Sequence, residues 1–166
     1  MAITTPMDLF LYELSTILSV EQSKLQMMAR LEQMCQDQQI KQSFSQEIPE
    51  IQRQITRVQE CFRLLNARPL NITDHAVDCM QHDLQDFMQQ NPNQNSIDMY
   101  SLGMVLKLDH YEVAAYMGLV EKARQLGQTQ IVSLLEDNMS DERSSAQLMG
   151  QLSMRITGQM IQGKRR

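Results

Sequence analysis

Tryptophan is absent from this 166-residue sequence, aromatic residues make up only 5%, and the formal net charge is −5 with no long basic run. These shortages exclude a phosphate-tracking surface and a base-stacking platform, so nucleic acid is not an expected partner. Uninterrupted apolar runs are missing as well: none reaches the roughly 18 residues that a membrane helix needs, so no membrane span is expected. The three cysteines, Cys35, Cys61 and Cys79, are odd in number and form no CxxC pair. They read as buried thiols of a reducing compartment rather than disulfides or a zinc site. The opening residues MAITTPMDLFLYELS lack a basic segment ahead of their apolar stretch and a small-residue cleavage site, unlike a secretory signal. A cytoplasmic location is the expectation.

Glycine (6) and proline (4) are scarce, while glutamine, leucine and methionine (14) are abundant. Unbranched side chains lose little freedom in a helix, so the composition favours an all-α fold. Thr5-Pro6-Met7-Asp8 combines an N-cap, a proline suited to the first turn and an acid near the positive helix end. It starts a first helix that runs to about Cys35. The polar residues 36–42 read as a turn before a second helix, about 42–66, closed by Arg68-Pro69-Leu70-Asn71. Thr73-Asp74 caps a shorter helix with Val77, Met80, Leu84 and Phe87 at helical spacing, and Asn91-Pro92-Asn93-Gln94-Asn95 breaks the chain. Ser96 is the expected cap of the next long helix, which ends at Leu126 before Gly127; Thr129 opens the last, to about Gly158.

Four long helices with one short helix in the middle connection imply a four-helix bundle with a crossover between its second and third long members. The whole of 1–166 reads as one domain with its core in about 6–158 and a frayed tail, 159–166, to which the basic Gly163-Lys164-Arg165-Arg166 contributes no function. Pro49 leaves two possibilities: a kink before Glu50, or a separate turn over 42–48.

The unusual feature is acids on apolar faces. In helix 1 the stripe Leu11, Leu14, Leu18, Leu25, Met28 is interrupted by Glu21. In the fourth helix Asp109 lies near the centre of the face formed by Leu102, Leu106, Val113, Tyr116 and Val120, with Glu112 toward its edge. Glu142 falls amid Ile131, Leu135, Met149, Leu152 and Ile156 in the last. In helix 2 the stripe Phe44, Ile48, Ile51, Ile55, Val58, Phe62, Leu65 is apolar throughout, with Glu47, Glu50 and Gln54 along its flank. Glu21 and Glu50 are 29 residues apart and Glu112 and Glu142 are 30, so two hairpins bring one acid pair each to a common level. Carboxylates meeting in a core repel and hold protons unless a polyvalent cation compensates them. An oxygen-rich two-metal site suits iron or manganese better than zinc or copper.

Other residues carry less. His75 and His82 read as surface or capping residues, and His110, a quarter-turn off the buried face, as a packing residue or one that orients a neighbouring acid. Tyr12, Tyr111 and Tyr116 read as core or boundary residues, and Met27, Met28, Met99 and Met104 as core filler or a soft contact surface.

Leu108-Asp109-His110-Tyr111-Glu112-Val113-Ala114-Ala115-Tyr116 is similar to Val-Glu-His-Tyr-Glu-Ile-Ala-x-Tyr of the YciF/YciE-like ferritin-like proteins of bacteria, and Ala123-Arg124-Gln125-Leu126-Gly127 to that family's Ala-Glu-Gln-Leu-Gly. The resemblance covers almost the whole chain, through Val20-Glu21-Gln22, through Glu50, Gln54, Arg57 and Phe62, and through Leu134-Leu135-Glu136 and Glu142. It implies a ferritin-like bundle of a small stress-associated protein, with Glu21, Glu50, Glu112 and Glu142 as primary metal ligands and Asp109 and Gln54 as additional or supporting groups. Three positions depart from the family pattern: Glu47 stands for His, Asp109 for Glu, and Ala146 for Asp. Glu-x-x-His pairs of the di-iron type are absent.

Two functions follow. One is a di-metal carboxylate protein, with iron or manganese, serving stress protection or metal handling and, if redox-active, reacting with dioxygen or peroxide. The other is a metal-free bundle, its acids paired to arginine or hydrated, acting through a dimeric or heteromeric surface of methionine and leucine. A homodimer is compatible with both.

Overall fold

The computed structural model describes residues 2–163. Five helices make up the fold: α1 (Pro6–Met34), α2 (Gln38–Leu64), α3 (His75–Gln89), α4 (Gln94–Gln125) and α5 (Thr129–Gly163). Thr5 caps α1 as expected, in a reciprocal capping box with Asp8. Gly127, at φ +70°, closes α4 in the left-handed conformation that glycine adopts without a Cβ penalty. Other boundaries differ from expectation for local reasons. α2 begins near residue 38 because Asp37 accepts from the amides of Gln39 (2.9 Å) and Ile40 (3.1 Å), and Ile40 is fully buried. α4 is capped by Asn93, which accepts from Ser96 N, so Ser96 is inside the helix. α5 continues past Gly158 to Gly163; the rest of the expected frayed tail, 164–166, lies outside the described residues.

The long helices form a square. α1 packs on α2 and α4, α5 packs on α2 and α4, and α3 lies against α1 and α4. Asp98, near the start of α4, accepts from the amides of Gln36 and Asp37 at 2.9 and 2.8 Å, which fixes α4 antiparallel to α1. The crossover is stitched to α1 by Leu70 N on Ser15 Oγ and Asp74 N on Ser19 Oγ, and to α4 by Tyr111 OH on Asp74. This is the ferritin-like four-helix bundle, with its short helix in the long connection.

The fully buried positions step by four and three along every long helix: Phe10, Leu14, Ile17 in α1; Ile40, Phe44 in α2; Leu102, Val105 in α4; Ile131, Leu135 in α5. That spacing is the seam of left-handed, nearly parallel helix packing. Met27, Met28 and Met104 fill the core as expected. Cys35 and Cys61 are buried, and burial pushes both thiols up to about 12. Cys79 departs from the expectation of a buried thiol: it is exposed on α3, a helix with Val77 as its buried anchor.

Pro49 neither ends α2 nor splits it, since the helix is continuous from Gln38 to Leu64. The residue is exposed, so its ring is accommodated at the surface while its missing N–H leaves one helical bond unmade. Pro49→Ala is expected to stabilise the protein by on the order of 1–3 kcal/mol, read as a higher urea midpoint with unchanged slope; a midpoint that falls would contradict this account.

Candidate metal centre

Halfway along the bundle the four-three steps are filled by polar residues. α1 continues Ile17 with Glu21 and Lys24 before Met28; α2 has Glu47 and Gln54 flanking Ile51; α4 has Asp109 and Glu112 between Val105 and Tyr116; α5 has Asn138, Glu142 and the half-buried Ser145 before Met149. Residues three, four or seven apart share a helix face, so each helix turns its polar residues toward the interior. Glu21, Lys24, Asp109, Glu112 and Glu142 are each no more than 1% exposed, and Glu47 is 6% exposed.

Lys24 is at the centre. Its Nζ lies 3.0 Å from Asp109 Oδ1, 2.6 Å from Glu112 Oε2 and 2.7 Å from Glu142 Oε2, so its three hydrogens are matched by three carboxylate oxygens on two helices. Burial alone pulls Lys24 down, but Glu112, Glu142 and Asp109 outweigh it and hold the ammonium above the ordinary lysine range. Around this contact the acids are fixed from outside. Tyr116 OH donates to Glu21 Oε1 at 2.5 Å and accepts from Asn138 Nδ2 at 2.9 Å. Gln54 Nε2 donates to Glu142 Oε1 at 2.7 Å. Arg57 holds the next turn of α5 through Asn138 and Asp141.

One ammonium does not balance five carboxyls, so burial favours the protonated form of several of them. Burial, then the charge of Glu142, pushes Glu21 up to about 8. Burial, then Asp109, pushes Glu47 up to about 7. Glu112 and Glu142 are raised too, chiefly by burial. The hydrogen bonds agree: Ser145 Oγ, with one hydrogen, meets both Glu47 Oε1 and Asp109 Oδ2. A proton on Glu47 donating to Ser145, which donates in turn to Asp109, supplies a hydrogen to each of the two contacts.

The structure brings together Glu21, Asp109, Glu112, Glu142, Glu47 and Gln54 of the residues singled out in the sequence. It does not bring in Glu50, which is 46% exposed and pairs with Arg53 at 3.4 Å. The α2 seam runs through Glu47, Ile51 and Gln54, and at about 100° per residue Glu50 projects roughly 75° away from it; Glu47 and Gln54 occupy the seam itself rather than its flank. His110, His75 and His82 are exposed, and His110 lies in a surface cleft between α4 and α5 with Arg143 and Met154. The residue that the sequence reading omitted is Lys24. Its signal was the seam: Phe10, Leu14, Ile17, Glu21, Lys24, Met28, Leu31 follows four-three steps throughout, whereas Leu11 and Leu25 of the stripe first drawn are only partly buried.

Among the described residues, three acids lie close enough together to share a cation. Glu21, Glu112 and Glu142 each offer an oxygen within 4.8 Å of the others. Glu21 Oε2 and Glu112 Oε1 are buried without a hydrogen-bond partner, which is costly unless a cation or proton answers them. The neighbouring place, framed by Asp109, Glu112 and Glu142, is filled by the Lys24 ammonium.

A family model described as a domain of unknown function, DUF892, matches residues 5–162. Protein YciF of Escherichia coli K12 is 22% identical over 139 residues, covering 83% of this chain and 84% of the relative. The crystal structure of that stress protein superposes with a TM-score of 0.88 at 21% identity, covering 94% of this chain and 99% of that one. YcfI of Rhodopseudomonas palustris gives a TM-score of 0.85 at 24% identity, with 89% and 94% covered. A ferritin-like, diiron-carboxylate protein of Bacillus anthracis Ames gives 0.72 at 19% identity, with 91% and 99% covered.

Carboxyls whose folded-state pKa lies above the unfolded value bind more protons when folded, so their contribution is full below about 4.5 and is lost as pH rises through the folded value. For Glu47 that loss runs from the ordinary glutamate value of 4.5 to about 7. The metal-free protein is therefore expected to be more stable at pH 5 than at pH 8.5, by thermal unfolding in EDTA. Glu47→Gln, which keeps the shape without the charge, is expected to recover on the order of 2–3 kcal/mol at the higher pH. A flat profile in both proteins would show that the protons are not held in this core.

Proposed function

The chain belongs to the DUF892 family, whose description names no activity, and we propose that it is a ferritin-like carboxylate protein holding one manganese or iron(II) ion among Glu21, Glu112 and Glu142. The observation that carries this reading is the pair of buried, unpartnered oxygens, Glu21 Oε2 and Glu112 Oε1, in a group of three acids close enough to share a cation. An all-oxygen donor set favours manganese and iron(II) over softer metals. The similarity to a protein named as a stress protein and to one named as diiron-carboxylate supports a role in stress protection or metal handling.

Each residue has a defined part in that role. Tyr116 and Asn138 fix the carboxylate of Glu21; Gln54 and Lys24 fix that of Glu142 from opposite oxygens; Lys24 holds one oxygen of Glu112 and leaves the other free. Buried residues close the site above and below, with Ile17 and Met28 on α1 and Val105 and Tyr116 on α4. A bound manganese or iron(II) ion supplies a Lewis acid and one electron for transfer to an oxidant. No helix among the described residues is long and apolar enough to cross a membrane.

Elemental analysis of protein purified without chelator and loaded anaerobically with Mn(II) or Fe(II) is expected to give close to one ion per chain. Glu112→Gln relieves a buried acid, so it is expected to keep the metal-free fold at least as stable while weakening metal binding by more than ~10-fold. Metal content near zero after loading would overturn this reading in favour of a metal-free, protonated core.

A further inference from the structure

The two cation places in the core share ligands. Glu112 and Glu142 belong both to the group that includes Glu21 and to the group that surrounds Lys24 with Asp109. Two acids common to two adjacent cation places are the arrangement of bridging carboxylates. Glu47 Oε2, buried and without a partner, belongs to the Lys24 side through Ser145 and Asp109. The donors for a second ion are thus present in the core, and the place is taken by a side chain.

Lys24 is three residues after Glu21 on the same face of α1, the spacing at which di-iron bundles carry the histidine of a Glu-x-x-His pair. A histidine there supplies a neutral donor and leaves the positive charge to the metal. A lysine supplies the charge itself, on a stem long enough to reach across the core to α4 and α5. At 1% exposure its ammonium has no route to solvent, and its three contacts, at 2.6 to 3.0 Å, match hydrogen-bond donation.

We propose that Lys24 is a built-in replacement for the second metal ion: its ammonium occupies the Asp109–Glu112–Glu142 place and fixes the capacity of the core at one divalent ion. The proposal rests on the single-ion reading for the neighbouring place, but its test separates the two. Removing the side chain opens the place while leaving every acid donor in position. A histidine at 24 does the same and restores volume and a donor.

The experiment is metal stoichiometry by plasma mass spectrometry after anaerobic loading with Mn(II) and desalting, on the wild type, Lys24→Ala and Lys24→His, with thermal unfolding of each in EDTA and in Mn(II). The expected counts are about one ion for the wild type and about two for either variant. In EDTA, Lys24→Ala is expected to unfold several degrees below the wild type, because its acids have lost their cation, and Mn(II) is expected to restore it by a larger shift than the wild type shows. One ion in all three proteins would overturn the replacement role and leave the single-ion site standing. Zero in the wild type and one or more in the variants would overturn the single-ion reading and uphold the replacement. Zero throughout would overturn both. Should Lys24→Ala fail to fold in EDTA, Lys24→His and refolding in the presence of Mn(II) give the same count.

Discussion

The structure turns on a charge balance: five buried carboxyls midway along the helical core, with a single ammonium among them. Neither side is stable alone. Removing two or three acids from water costs several kcal/mol each unless they are paired, and an unpaired buried lysine would lose its proton. Lys24 meets three acids at once. The acids beyond its reach are answered in other ways, Glu21 by Tyr116 and Glu47 by Ser145. Three carboxylate oxygens are still left without a partner: Glu21 Oε2, Glu47 Oε2 and Glu112 Oε1.

That balance requires rigid supports, and the helical seam supplies them. Because each polar residue occupies a four-three step otherwise filled by leucine, isoleucine, valine or methionine, its neighbours one turn away are core residues with little room to move. The groups that orient the acids, Tyr116, Asn138 and Gln54, are themselves at seam positions. The outer ion pair of Arg57 with Asp141 and the crossover contact of Tyr111 with Asp74 hold the backbone on either side. The surface ion pairs of α2, such as Arg63 with Glu60, are exposed and contribute little.

How much of this was legible in the sequence depended on the period used to read it. Caps with a local chemical cause were legible, as at Thr5 and Gly127. The inward aim of Asp109 and Glu112 was legible because they interrupt an apolar face on which flanking residues are unambiguous. Glu50 was misplaced because equal sequence spacing to Glu21 and between Glu112 and Glu142 fixes level along a hairpin but not direction around each helix. A rotation of one residue moves a side chain by about 100°, and Glu47 rather than Glu50 faces inward. Lys24 escaped because lysine is the residue least expected inside, so a stripe drawn through Leu11, Leu18 and Leu25 looked more apolar than the true seam through Phe10, Ile17 and Lys24. A strict four-three reading of all four long helices would have placed it, since the same phase accounts for Asp98, Leu102, Val105, Asp109, Glu112 and Tyr116 in α4.

A lysine and a metal ion are not equivalent occupants of such a core. An ammonium carries one charge whatever the oxidation state beside it, offers donors rather than coordination positions, and cannot be exchanged. With Lys24 in place, Asp109 and one oxygen each of Glu112 and Glu142 are committed to hydrogen bonds, so these acids are less free to swing between bridging and terminal modes as a neighbouring charge changes. The remaining freedom belongs to Glu21 Oε2 and to the second oxygen of Glu112, neither of which has a partner. Without a metal, burial favours a proton on two of the acids in this core, Glu21 and Glu47. A fixed ammonium therefore leaves fewer carboxylate oxygens open to an exchangeable cation than an unoccupied place would.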